Sequence, residues 1–272
     1  MRYRQWLVAA VLVIGALAST SPAVGSFTTI DVPGADGTSA SGINERGQIV
    51  GAYFDPINKK NRGFLLDDGN FTSIDFPGAV ATQAIGINAR GQIVGGYSES
   101  TGFGSPFHGF LLDNGTFSAI DVPGAGSTRA RGINDQGQIV GEAGSHCFLL
   151  DRGDLTIIDV PGAGFTFCSG INGRGQIVGG YYLNGVHGFL LDGGIFTTID
   201  FPGALVTIPD GINNPGQIVG GYSDSSRGHG FLLEDGVFTT IDVPGAPNTS
   251  AQHINNRGQI VGFAGQHGFI LD

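Results

Sequence analysis

Charge is scarce in this chain. Only 13% of its 272 residues are Asp, Glu, Lys or Arg, and 13 basic residues face 23 acidic ones, for a formal net charge of −10. That shortage of Lys and Arg excludes the electrostatic footprint that nucleic acids or anionic lipid surfaces require. Catalytic phrases are missing too. There is no G-x-S-x-G, no H-E-x-x-H, no C-x-x-C and no P-loop, which excludes the familiar hydrolase, zincin, redox and nucleotide motifs. An enzyme that gathers its residues from distant segments is not excluded. Beyond the first 25 residues no apolar run is long enough to span a membrane.

Those first 25 residues differ from the rest. Arg2 and Arg4 precede a twelve-residue apolar stretch, Leu7 to Ala18, and small residues follow. This is the pattern of a secretory signal peptide, cleaved after Ala18 or Gly25. Its removal takes away two Arg and no acid, so the mature charge becomes −12. Export permits a disulfide between the two cysteines, Cys147 and Cys168.

What the chain has in excess is glycine, 49 residues, at regular places. The phrase GINERGQIVG at 42–51 returns five times, with its Asn at 44, 88, 134, 172, 213 and 255. Such a period signals a propeller, a solenoid or an array. Each copy holds four short runs rich in β-branched and aromatic residues, in the first FTTIDV, TSASGIN, QIVGAY and GFLLD. None suits a helix with a buried stripe. Asn44-Glu45-Arg46-Gly47 suits a type I turn, Asp68-Gly69 a second hairpin, and Val32-Pro33-Gly34 a type II turn. The spacing therefore predicts two hairpins, four antiparallel strands, per repeat. A four-stranded sheet of this size cannot bury both faces alone and must stack against others.

The predicted fold is all-β: a six-bladed β-propeller spanning 26–272, with repeats at 27–70, 71–116, 117–154, 155–195, 196–237 and 238–272. The chain ends at GFILD, where another FTTIDV is due. The opening segment 27–32 is therefore predicted to supply the last strand of the final blade. On this plan Cys147 and Cys168 stand on different blades. Two strand steps of about 4.8 Å plus a face-to-face gap of ~10 Å lie beyond disulfide reach.

These phrases resemble the bacterial extracellular HAF-repeat family, whose GIN-x-x-G-x-[IV]-V-G run is followed by His-[Ala/Gly]-Phe-Leu. His108-Gly109-Phe110-Leu111, His187-Gly188-Phe189-Leu190, His229-Gly230-Phe231-Leu232 and His267-Gly268-Phe269 carry the likeness. Two copies depart, with Arg62 at the His place and Cys147 after His146. The resemblance implies export and a propeller-like fold, and no particular reaction.

His108, His146, His187, His229 and His267 share one repeat position, as do Asp31, Asp75, Asp121, Asp159, Asp200 and Asp242. A metal needs ligands converging at ~2.0–2.1 Å, and equivalent places on radiating blades do not converge. Hydrogen bonding within each blade is the simpler reading for both, so no metal, no cofactor and no catalytic residue is assigned. Function should break the symmetry. On the strand that lines the axis, Arg129, Arg131 and Asp210 are the only charges, with Gln83 and Gln252 nearby. Tyr53, Tyr97, Tyr181 and Tyr222 place aromatics near the variable segments that follow QIVG. These nine residues are the candidate binding set. The resulting expectation is a secreted, monomeric binding scaffold for a glycan or protein partner, with no nucleic acid and no membrane span after cleavage. A propeller hydrolase or lyase acting at the channel mouth, and a purely structural surface component, are the alternatives.

Overall fold

The computed structural model describes residues 12–13, 25–102 and 104–272. Apart from Leu12–Val13 and Gly25, the expected signal peptide lies outside the described residues.

Every element among the described residues is a strand. In the first repeat Thr38–Ile43, Ile49–Asp55, Lys60–Asp67 and Asn70–Ile74 form an antiparallel meander. The turn chemistry does what the sequence predicts. Gly47 N–H donates to the Asn44 carbonyl at 3.1 Å, and Gly47 takes a φ of 82° that other residues rarely adopt. Asp68 and Gly69 both have positive φ, as the tight second hairpin requires.

Sheet pairing divides the strands differently from the expected six separate sheets. Four sheets have four strands each, and a fifth has nine. The nine-stranded sheet holds the four strands of the fourth repeat, from Phe165–Ile171 to Ile195–Ile199, and the four of the fifth, from Val206–Ile212 to Val237–Ile241. A single parallel pair, Val186 with Val206, joins them, and Leu12–Val13 lies parallel along Ile195–Ile199 as the ninth strand. In the last sheet Thr249–Ile254, Ile260–Ala264 and His267–Leu271 are joined by Phe27–Ile30, with Phe27 opposite Leu271.

The sheets pack face to face. Val50, Val94, Val140, Val178, Val219 and Val261 are all fully buried. Each enters the apolar cluster of the next unit: Val50 meets Ile87 and Phe110, and Val261 meets Ile43 and Phe64. The third-strand phenylalanines Phe64, Phe110, Phe148, Phe189, Phe231 and Phe269 fill the inter-sheet space, each contributing about 1.5–3 kcal/mol by burial. The glycine of QIVG makes room for them. A Cβ on Gly51 would stand 2.7 Å from the Phe64 ring and 2.0 Å from the Ser39 carbonyl oxygen.

One expectation is overturned. Cys147 and Cys168 form a disulfide, with Cα atoms 5.2 Å apart, and both are fully buried. The sequence-based distance assumed side chains meeting across a full ~10 Å gap between sheets. Here small residues let the backbones close in. At the equivalent junctions a Cβ on Gly63, Gly109, Gly230 or Gly268 would fall 3.2–3.4 Å from the backbone nitrogen of Ala84, Ala130, Ala251 or Ala40. Cys147 and Cys168 occupy this same pair of places.

Candidate functional site

The polar residues that repeat are engaged in scaffold. Each GIN asparagine accepts backbone N–H bonds within its own turn; Asn44 Oδ1 receives Arg46 and Gln48 at 3.0 and 3.1 Å. Its amide donates onward to the next unit. Asn44 Nδ2 reaches the Asn88 carbonyl, Asn88 that of Asn134, Asn134 that of Asn172, Asn172 that of Asn213, and Asn213 that of Asn255. Asn255 then reaches Asn44, and all six bonds measure 3.0–3.2 Å. The repeated threonines close the Pro-Gly loops: Thr38 Oγ1 accepts from Val32 N–H at 3.1 Å. The glutamines bridge to third-strand acids, Gln48 Nε2 to Asp67 at 2.9 Å.

The histidines find partners that the sequence reading left apart. His108 Nδ1 lies 2.8 Å from Asp121, and His146, His187 and His229 face Asp159, Asp200 and Asp242. His267 meets Asp31 at 3.0 Å across the joined first and last segments. Where Arg62 replaces His, it pairs with Asp75. A constant spacing of 13 residues, from the third strand of one repeat to the start of the next, was the available signal.

What remains unique gathers on the channel-lining strands. Every first strand carries a bulge against the second, which skips Ser41, Ile85, Arg131, Ser169, Asp210 or Gln252 in the pairing register. Bulges re-aim a side chain and recur beside binding sites. Three of the five first-strand candidates, Arg131, Asp210 and Gln252, are thus the extra residues of bulges. At the far end of these strands the six asparagines and their preceding residues surround an axial cavity of about 50 Å³.

The structure divides the candidates into groups. Arg129 and Arg131 converge on one oxygen of Glu142, at 2.9 and 3.2 Å, and the Arg129 guanidinium lies 3.9 Å from the centre of the Phe107 ring. Burial acts to raise the Glu142 pKa, but Arg131 and Arg129 outweigh it and hold the carboxyl below its ordinary value. Asp210, Gln252 and Tyr222 line a cleft of about 360 Å³ between the fifth and sixth units. Asp210 keeps partial exposure to that space. Protein packed around its carboxyl still desolvates it and pushes its pKa up to about 7, against the opposing pull of Arg131. Tyr53 and Gln83 line a second cleft of about 540 Å³, with Ser39 and Asn61. Phe263 borders both.

Tyr97 and Tyr181 belong to neither cleft. Both are buried; Tyr97 stacks on Phe76 at 3.6 Å, and the Tyr181 hydroxyl bonds Thr198. Their part is packing.

Sequence reasoning missed Glu142, Phe263 and His253. The first two follow the QIVG glycine, where the other repeats carry Ala52, Gly96, Gly180 and Gly221. His253 replaces the glycine of GIN. It borders the axial cavity, and desolvation depresses its pKa to about 4 despite a hydrogen bond with the Ile43 backbone. Among the described residues no three His, Cys, Asp or Glu side chains cluster as metal ligands would.

No family model matches the chain, and no curated protein matches it. Solved structures do. A streptogramin B lyase structure is 13% identical, aligned over 92% of this chain and 98% of that one, with a TM-score of 0.56. TolB from Acinetobacter baumannii is 15% identical over 86% and 54%, with a TM-score of 0.54. The β-propeller domain of the Trilobed protease from Pyrococcus furiosus is 15% identical over 87% and 83%, with a TM-score of 0.52.

The fold is a β-propeller. In this propeller the clefts lie where the starts of the first strands meet the segments that follow QIVG, as Thr38, Tyr53 and Asn61 around one cleft illustrate. At identities this low the likeness speaks for the fold alone.

Proposed function

We propose that this chain is an exported HAF-repeat propeller of six blades that binds a glycan or protein partner at the rim bearing the two clefts. Six blades follow from reading the nine-stranded sheet as two units, since one residue pair joins its halves. The pairing of Phe27–Ile30 with His267–Leu271 supports closure by the opening segment. Arg2, Arg4 and the apolar run after them support export.

One observation carries the binding reading. The repeated polar side chains have partners inside the scaffold, whereas the residues that break the repeat fall into two groups on the first and second strands: Arg129, Arg131 and Glu142, paired with one another, and Asp210, Gln252 and Phe263, which line the clefts. Cleft volumes of about 360 and 540 Å³ lie in the range of ligand sites. A glycan array on the mature protein tests this reading. Binding lost on trimming segments 53–62 and 97–107 supports it, and array binding untouched by changes at that rim overturns it.

Asp210 favours a second reading. A carboxyl poised near neutral pH suits general acid–base chemistry, so the hydrolase or lyase alternative would place its proton transfer there. No binding anywhere, with turnover abolished by Asp210→Asn, would replace the first reading with this one.

A further inference from the structure

Asp210 is the channel-side carboxyl with the weakest support. Its nearest donor is Gln252 Nε2 at 3.5 Å, and that amide makes a shorter bond, 2.9 Å, to Ser250 Oγ. A partly buried carboxylate with no close donor is costly. Arg131 acts on it through charge but is itself tied, with Arg129, to Glu142. His229 lines the same cleft, and its Nδ1 is held by Asp242 at 3.0 Å. The cleft therefore offers one carboxyl without a committed cation. Its walls are otherwise largely apolar, with Val206, Ile208, Tyr222 and Phe263 around the carboxyl.

We propose that this cleft binds a primary ammonium group on an apolar stem, the Asp210 carboxylate receiving the ammonium and Tyr222 and Phe263 flanking the stem. The inference rests on the reading of this rim as a binding surface and names the ligand chemistry. An ammonium brings three N–H donors to a carboxylate that lacks them. The Phe263 ring can attract a cation through its negative face, while Tyr222, already stacked on Phe201 and on His229, gives the stem an apolar side. An anion would meet the carboxylate with like charge and leave it without a donor. Desolvation puts the Asp210 pKa at about 7, so a proton competes with the ligand for the same oxygens. The other titratable or charged groups around it are Arg131, Tyr222, His229 and, next in the chain to Gln252, His253.

Isothermal titration of the full chain with phenethylammonium tests the proposal. The expected result is saturable binding at pH 8, weakened about tenfold at pH 6, since Asp210 must lose its proton. Asp210→Asn should weaken binding at least about tenfold, Phe263→Ala should weaken it as well, and phenylacetate should not bind. Parallel arms with n-hexylammonium and Nα-acetyl-lysine amide identify a free-amine or peptide-borne source by which binds more tightly. Circular dichroism establishes that each variant is folded, and Phe263→Ala decides alone if Asp210→Asn does not fold. Phenylacetate binding instead, phenethylammonium binding unchanged in both variants, or no amine binding at all overturns the assignment. In the last case an array signal lost on trimming 53–62 and 97–107 leaves the rim reading standing. An array signal indifferent to the rim sinks that reading instead.

Discussion

The side-chain amide of Asn255 donates to the backbone carbonyl of Asn44 at 3.2 Å, across 211 residues of sequence. Five equivalent bonds link the other neighbours, so the asparagines form an unbroken circle. Asn134 makes four side-chain bonds, two as acceptor and two as donor. Asn134→Ala is expected to cost about 2–4 kcal/mol, because buried backbone groups lose their partners. Urea unfolding measures this, and a loss below about 0.5 kcal/mol would show the circle to be ornamental.

The disulfide can be written back into the sequence of its neighbours. The double variant Cys147→Gly/Cys168→Ala recreates the Gly–Ala contact of four other junctions. It should fold and keep its spectrum while losing about 2–4 kcal/mol, the usual effect of opening a loop of this size. Comparing its melting temperature with that of the parent, with and without reductant, checks the point. Reductant should lower only the parent.

His253 should make the fold sensitive to acid. Its pKa is about 4 in the folded chain and 6.5 ordinarily, so between those values the unfolded chain binds more protons. Its share of stability is complete above about pH 6.5 and is lost as pH falls toward 4. His253→Gly, which restores the GIN phrase, should flatten the decline in melting temperature from pH 7 to pH 4.5. Parallel declines in the two proteins would refute this.

Asp210 works in the opposite direction. Its folded pKa, about 7, exceeds the ordinary 3.8, so the folded chain holds its proton longer. The ionised carboxylate therefore destabilises the fold increasingly as pH rises from about 4, and fully above 7. Without ligand, Asp210→Asn should melt higher than the parent at pH 8, by on the order of 1–2 kcal/mol after allowing for solvent in the channel. The gain should disappear near pH 4. Thermal melts of both proteins across that range measure it.

The hairpins were legible because turn chemistry recurs at every repeat: Asn44 to Gly47, Asp68-Gly69 and Val32-Pro33-Gly34 each leave one local outcome, whereas the merging of two units into one nine-stranded sheet was not. Contacts between repeats were harder to read. The disulfide was misjudged by treating the gap between sheets as uniform, although the separation of Cys147 from Cys168, 21 residues, matches that of Gly63 from Ala84. The site was half visible. Arg129, Arg131, Asp210 and Gln252 stood out on the first strand. Their neighbours Glu142 and Phe263 did not, because second strands looked uniform and only pairing shows Glu142 opposite Arg129 and Phe263 opposite Ser250. The tyrosines misled: a Tyr after QIVG reads as a rim aromatic, yet Tyr97 and Tyr181 turn into the layer between sheets.

Each asparagine is both hand and handle, grasping the following copy while offering its own carbonyl to the one before. A duplicated segment would thus arrive already equipped to adhere to its siblings, with no new surface to invent. The bulge position three residues before each asparagine takes no part in that circle, and it is there that Arg131, Asp210 and Gln252 differ in chemistry while the links between copies stay the same.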